Sequence, residues 1–326
     1  MIDNGFMVVR FAVAVLLTIT SLWLTAYAGQ PAATPRIGVL DPLGSATFAE
    51  GLRNGLRQAG YSEGANLFIE WRQPSETEEE LQSLVTNLAR SGVNLLVTTG
   101  SPATRAALQT SLPVVFLVGD PVATGFASSL ARPGGNGTGV SVVATELEAK
   151  RLELLHQLAP KARSIVYLVA LSNPAVLKAQ PGLRAAARTL GVEIETLDAS
   201  NPRELDVALR ALQQSPPEAL LVSPIAFYLP HSVAIAQAAR KSRIPALYGY
   251  REFVADGGLA SYGPNLKQIG SLIAGYVVKI IRGAKPGDLP IEQMSKYELV
   301  IDLRAAREQG IKVPQELLYR ADEVIR

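Results

Sequence analysis

Five times in this chain an apolar, strand-like run ends in a small polar residue followed by proline. The pairs are Asp41-Pro42 after RIGVL, Ser101-Pro102 after LLVTTG, Asp120-Pro121 after VVFLVG, Asn173-Pro174 after IVYLVALS, and Ser223-Pro224 after ALLV. A polar side chain that accepts the free N–H groups of a first turn, followed by a proline with no N–H to satisfy, is a helix-start signature. Directly after a buried strand it marks the carboxyl edge of a parallel sheet made of strand–helix units. That edge is where open α/β sheets hold ligands, and helix N-termini there present unpaired N–H groups to polar or anionic atoms. One pair alone requires nothing beyond a cap. Five on one kind of edge predict an α/β fold and the place where it binds.

The apolar periodicity agrees. After residue 35 strands and helices alternate. Phe48, Leu52, Leu56 and Ala59 recur at helical spacing behind the first strand, and Gly60 ends that helix. Leu81, Leu84, Val85 and Leu88 form the face of a second helix, which opens on acidic residues that suit the positive end of the helix dipole. Parallel strands are predicted at 36–40, 67–71, 95–99 and 114–118. The strongest break in composition follows, RPGGNGTG at 132–139. It lacks the spacing of a dinucleotide fingerprint and the Gly-Lys-Ser/Thr ending of a phosphate loop, and it does not follow the first strand. It reads as a crossover between lobes, where glycines absorb backbone rotation. Beyond it the alternation restarts, with strands predicted at 165–169, 192–197, 220–222, 246–248, 259–262 and 297–301. The predicted fold class is α/β, two doubly wound parallel-sheet lobes joined by a multi-segment hinge.

Composition removes whole classes of function. The chain has 326 residues, 48% apolar and 18% charged, enough for two domains with a sizeable core. A net charge of +2 without a basic run gives no footprint for nucleic acid. Cysteine is absent, which excludes disulfides, thiolate metal sites, a cysteine nucleophile and a lipidated N-terminal cysteine. The two histidines, His156 and His231, stand apart from any metal-ligand spacing. No metal or cofactor is expected. Ser141 lies in GVSVV, which lacks the second glycine of a nucleophile elbow, and His156 sits on a helix between Leu155 and Leu158. The acids at 76–80 read as a solvated helix start. No catalytic residue is assigned.

The first 28 residues read as a cleavable signal peptide: Arg10, an apolar run over 11–24, and Ala26-Tyr27-Ala28 before Gly29. The run is shorter than the roughly 20 residues a spanning helix needs. The mature chain is expected in the periplasm.

Several ordered blocks carry a family resemblance: GDPV at 119–122, SLARPGGN at 129–136, TGVS at 138–141, KRLELL at 150–155, GGLASYG at 257–263 and GAKPGDLP at 283–290. With them the chain resembles the substrate-binding proteins of ABC transporters, in the branch related to tryptophan- and aromatic-amino-acid-binding proteins. The resemblance implies two lobes that close on a small organic ligand, an amino acid or an aromatic carboxylate. It implies crossings near 137–142, 257–262 and 290–296. Lobe one is then 36–139 with 263–290, and lobe two 140–262 with 291–326. The implied partners are the ligand and an ABC permease in the inner membrane with its cytoplasmic ATPase; the protein itself is expected to be a monomer. Asp302 departs from the family, which more often has asparagine there, and the missing lipidation cysteine argues for a free form.

On this frame the ligand-binding candidates from lobe one are Ser45, Gly100, Ser101 and Asp120, with Ser101 offering a hydroxyl and N–H groups to a carboxylate and Asp120 accepting from an amine. Lobe two offers Asn173, Ser223, Tyr248 and Glu252, with Arg251 as a weaker anion partner. Ser141 and Tyr262 stand at the crossings. Two rivals remain. A secreted α/β enzyme acting on a small polar substrate needs a nucleophile with an activating base. A ligand-sensing regulator of the same fold needs a DNA-binding helix-turn-helix ahead of Arg36.

Overall fold

Strong β-formers flanked by amphipathic helices produce two separate sheets in the computed structural model, which describes residues 34–73, 78–142 and 145–326. The expected signal peptide and part of the acidic cluster at 76–80 lie outside the described residues.

The first sheet contains β1 (Arg36–Leu40), β2 (Phe68–Arg72), β3 (Leu95–Thr99), β4 (Val114–Val118), β5 (Gly137–Ser141) and β11 (Glu292–Gln293), in the order β11-β5-β4-β3-β1-β2. All its pairings are parallel. Its helices are α1 (Ala46–Gln58), α2 (Glu78–Arg90) and α3 (Ser101–Leu108). Strands β3, β4 and β5 are buried along their whole length, as expected where helices cover both faces.

The second sheet contains β6 (Ser164–Val169), β7 (Glu193–Asp198), β8 (Ala219–Val222), β9 (Ala246–Tyr248), β10 (Ala260–Gly263), β12 (Glu298–Asp302) and β13 (Glu323–Ile325), in the order β13-β12-β10-β9-β8-β6-β7. It is parallel except for the β10–β12 pair, where Ser261 opposes Val300 in antiparallel register. Around it stand α4 (Thr145–Leu158), α5 (Pro174–Leu190), α6 (Pro202–Gln214), α7 (Ser232–Lys241), α8 (Arg251–Ala255), α10 (Leu303–Gln309) and α11 (Gln315–Arg320).

One helix returns to the first sheet. Helix α9 (Leu266–Ile281) lies against α1 with the two backbones in contact. A Cβ added at Gly51 would sit 2.0 Å from the carbonyl oxygen of Lys267, and one at Gly270 would sit 2.3 Å from that of Phe48. Only glycine permits this approach. The chain therefore passes from the first sheet to the second after β5, returns after β10, and crosses again between β11 and β12. Strand pairing carries the first sheet to Ser141 and to Gln293, past residues 139 and 290.

Two expectations change. The glycine run is more than a connector, because its last residues form β5, packed so tightly that a Cβ at Gly139 would meet the Phe116 carbonyl oxygen at 2.0 Å. The polar–proline pairs also vary. Asn173-Pro174 opens α5 as predicted, and Ser101-Pro102 opens α3 behind a Gly100 cap. After Asp41-Pro42 the chain turns first, and α1 begins only behind Ser45. Asp120-Pro121 opens a hydrogen-bonded turn, and Ser223-Pro224 leads into a short 3-10 segment at Ala226–His231.

Candidate functional site

The loops at the carboxyl edge of the first sheet meet those of the second at two places. At one, Ser45 caps α1 by accepting from the Phe48 amide at 3.2 Å and shares a hydrogen bond with Thr47 at 2.8 Å. Both hydroxyls also point across to Glu252 on α8. Ser45 Oγ lies 3.4 Å from Glu252 Oε1, and Thr47 donates to the same oxygen more closely. The other carboxylate oxygen, Oε2, is buried with no hydrogen-bond partner. Burial raises the Glu252 carboxyl above its usual range, opposed first by the Thr47 hydrogen bond.

At the second place Lys178 Nζ, on α5, lies 3.3 Å from Asp120 Oδ2. Asp120 Oδ1 also accepts from the amides of Val122 at 3.2 Å and Ala123 at 3.0 Å. The Ala123 amide is the main cause of its lowered carboxyl pKa, with Lys178 adding to it.

The remaining predicted residues divide by what already occupies them. Gly100 takes φ +83 and caps α3, and Ser101 begins that helix half-buried. Ser141 is buried and donates to the Gly119 carbonyl at 2.6 Å, tying β5 to the end of β4. The Asn173 carbonyl accepts from the Val176 amide at 3.1 Å. Ser223 is buried beside Tyr167, and its amide donates to Leu168 at 3.0 Å. Tyr248 is wholly buried and stacked on Phe253 at 4.8 Å, so its ring is packed in the second lobe's core. Arg251 is held by Glu298 at 3.4 Å and Glu323 at 2.6 Å. Tyr262 is half-buried with its ring 6.1 Å from Tyr297.

Four further residues join the two edges or brace them. Thr47 and Lys178 supply contacts between the lobes. Arg151 and Glu148, both on α4, form a buried pair at 3.4 Å, and Arg151 Nε donates to the Tyr262 carbonyl at 2.7 Å. The signal for this pair was present in the sequence, as an acid and an arginine three residues apart on an otherwise apolar helix face. Beneath the first edge, Asp41 is buried and accepts from the Thr99 hydroxyl at 2.6 Å. Burial pushes its carboxyl pKa up to about 6.

The ABC transporter substrate binding protein profile matches residues 40–325. The chain belongs to that family. Its function is therefore that of a substrate-binding protein for a small-molecule ligand rather than catalysis. A tyrosine-binding protein from Clostridioides difficile is 24% identical over 286 residues, which is 84% of this chain and 80% of that protein. Among solved structures, an ABC domain in complex with L-Trp from Streptococcus pneumonia superposes with a TM-score of 0.80 at 25% identity, covering 90% of this chain and all 100% of the other. A ligand-free, open substrate-binding protein with adhesive properties from Clostridium difficile gives a TM-score of 0.61 at 22% identity, covering 89% of this chain and 99% of that one. Both share the two-lobed α/β fold of this family member. Among the described residues no helix is long and apolar enough to cross a membrane, and no cluster of histidine and carboxylate side chains could hold a metal.

Proposed function

We propose that this family member is the exported, periplasmic solute-binding component of an ABC import system, and that it holds an amino acid or an aromatic carboxylate between its lobes. In this reading residues 1–28 are removed as a signal peptide. Lobe one comprises 36–139 with 263–290, and lobe two 140–262 with 291–326, with β5 and β11 extending the first sheet by a few residues. The protein acts as a monomer and hands its ligand to an inner-membrane permease driven by a cytoplasmic ATPase.

The observation that carries the reading is the pairing of Ser45 and Thr47 with Glu252 across the carboxyl edges of the two sheets. Polar groups from both lobes converge there, so a ligand held between them touches both. Only such differential contact shifts an open–closed equilibrium. The aromatic amino acids named for the relatives support the ligand class. In this reading the ligand contacts are Ser45, Gly100, Ser101 and Asp120 from lobe one, and Asn173, Ser223 and Glu252 from lobe two, with Tyr262 at the crossing. Ser141 and Tyr248 act from behind these contacts, and Arg251 through the carboxylates that hold it.

A thermal-shift and calorimetry panel of L-tyrosine, L-tryptophan, L-phenylalanine, aliphatic amino acids and aromatic acids tests the function. At 100-fold excess over Kd a true ligand stabilises the protein by about 2.7 kcal/mol. A panel without any response sinks the ligand class.

A further inference from the structure

We propose that Glu252, together with the hydroxyls of Ser45 and Thr47 opposite it, forms a subsite for a primary ammonium group, which restricts the ligand to amino acids and amines and excludes simple carboxylic acids. This rests on the binding function proposed above and goes beyond it by choosing between the two ligand chemistries left open there.

The two carboxylate oxygens of Glu252 are unequally satisfied. One carboxylate oxygen faces the Ser45 and Thr47 hydroxyls, while the other is buried without any donor. A buried carboxylate oxygen without a donor is costly, and a cation with N–H groups relieves it most effectively. With Thr47 donating to Glu252 and Ser45 donating to Thr47, Ser45 also accepting from the Phe48 amide, each hydroxyl oxygen keeps one lone pair to accept an N–H. A carboxylate oxygen and two hydroxyl oxygens match the three N–H donors of an ammonium group.

The charges around the site agree. Asp41 adds a second carboxyl under the same edge. The nearby cations are already committed: Lys178 to Asp120, Arg251 to Glu298 and Glu323, and Arg151 to the Tyr262 carbonyl and Glu148. A ligand whose end at this subsite carries only a carboxylate would meet the like charge of Glu252, tempered only in part by Arg251, which is bound to Glu298 and Glu323. Asp120, the acceptor expected from the sequence, is a poorer candidate because two amides and Lys178 fill it.

Calorimetry with two sets of three ligands tests the assignment: L-tyrosine, tyramine and 3-(4-hydroxyphenyl)propionate, and L-tryptophan, tryptamine and indole-3-propionate. The wild-type protein should bind at least one amino acid, and the matching deaminated acid should bind at least about 30-fold more weakly. Glu252→Gln should weaken the amino acid and the amine together, on the order of 10- to 100-fold, and leave the deaminated acid unchanged or improved. Thr47→Val, which leaves Glu252 in place, should lower amino-acid affinity by only a few-fold. Melting curves of both variants establish that they fold, and Glu252→Asp supplies a second measurement if the Gln variant does not. A deaminated acid that binds wild type as well as its amino acid overturns the inference and leaves the binding function intact. So does a Glu252→Gln variant that keeps the full preference for the ammonium form. If none of the six binds and the wider panel is silent too, the proposed ligand class and the inference fall together.

Discussion

Arg151, on the helix that follows the first crossing, donates its Nε–H to the carbonyl of Tyr262, on the strand that leads into the second crossing, at 2.7 Å. The arginine is wholly buried, and its nearest counter-charge is Glu148 one turn earlier. Burial holds the Glu148 carboxyl above its ordinary range even with that arginine beside it. A buried charge pair stabilises little relative to apolar residues, but breaking it strands the survivor. Arg151→Met should therefore destabilise the fold by about 3–5 kcal/mol, while Arg151→Met combined with Glu148→Leu recovers most of that loss. Urea denaturation of the single and double variants measures both. A double variant as unstable as the single one would show that the Tyr262 bond, rather than the stranded acid, dominates.

The bridge between Lys178 and Asp120 joins the two lobes at an exposed position, with the lysine side chain 59% and the aspartate 41% accessible. Solvent screening keeps such a pair below about 1 kcal/mol. Lys178→Ala should weaken ligand binding by no more than about five-fold, through loss of a contact that favours closure. The difference should fade in 1 M salt, where the Debye length is about 3 Å. A loss that persists unchanged at high salt would point to a direct ligand contact by Lys178.

Helix α9 reaches the first lobe only because two glycines allow it. Gly270→Ala places a methyl group 2.3 Å from a backbone oxygen, so the helices must separate. The expected cost is about 1–3 kcal/mol. Gly275 on the same helix has nothing within 4 Å of where a Cβ would lie. Gly275→Ala should stabilise by about 0.5–1 kcal/mol through helix propensity alone. Opposite shifts in Tm for these two substitutions would establish the packing; equal shifts would contradict it.

Asp41 gives the fold a pH dependence of definite sign. Its folded-state pKa, about 6, lies above the ordinary 3.8 because burial disfavours the charged form. Its contribution to stability is thus fully present below the unfolded value and lost as pH rises through about 6. Asp41→Asn should raise stability by about 1–3 kcal/mol at pH 8 and change it little at pH 4. Thermal melts across that range test it, and a variant destabilised equally at both pH values would show that the charge is not the cause.

Much of this architecture was legible from one dimension. The strand positions follow from continuous apolar runs, because a strand covered on both faces has no polar side. The short strands β11 and β13 were missed because two or three residues carry no periodicity. The aromatic Tyr248 read as a cleft wall by its place after a strand, but side chains alternate faces along a strand, and its face is the one stacked on Phe253. Arg251 and Glu252 are neighbours with opposite fates: one is turned to Glu298 and Glu323 on its own lobe, the other to Ser45 and Thr47.

The sequence by itself determined the alternation of strands and helices, the two-lobe plan and the edge where binding residues gather. These depend on local periodicity and on caps within a few residues of each other. Tertiary structure decided which of those residues still have unused hydrogen-bonding capacity. That property depends on partners far away in the chain: Glu252 meets Thr47 across 205 positions, and Asp120 meets Lys178 across 58. A polar–proline pair announces a cap in either case; whether the cap also has an oxygen to spare is settled only when the opposing lobe arrives.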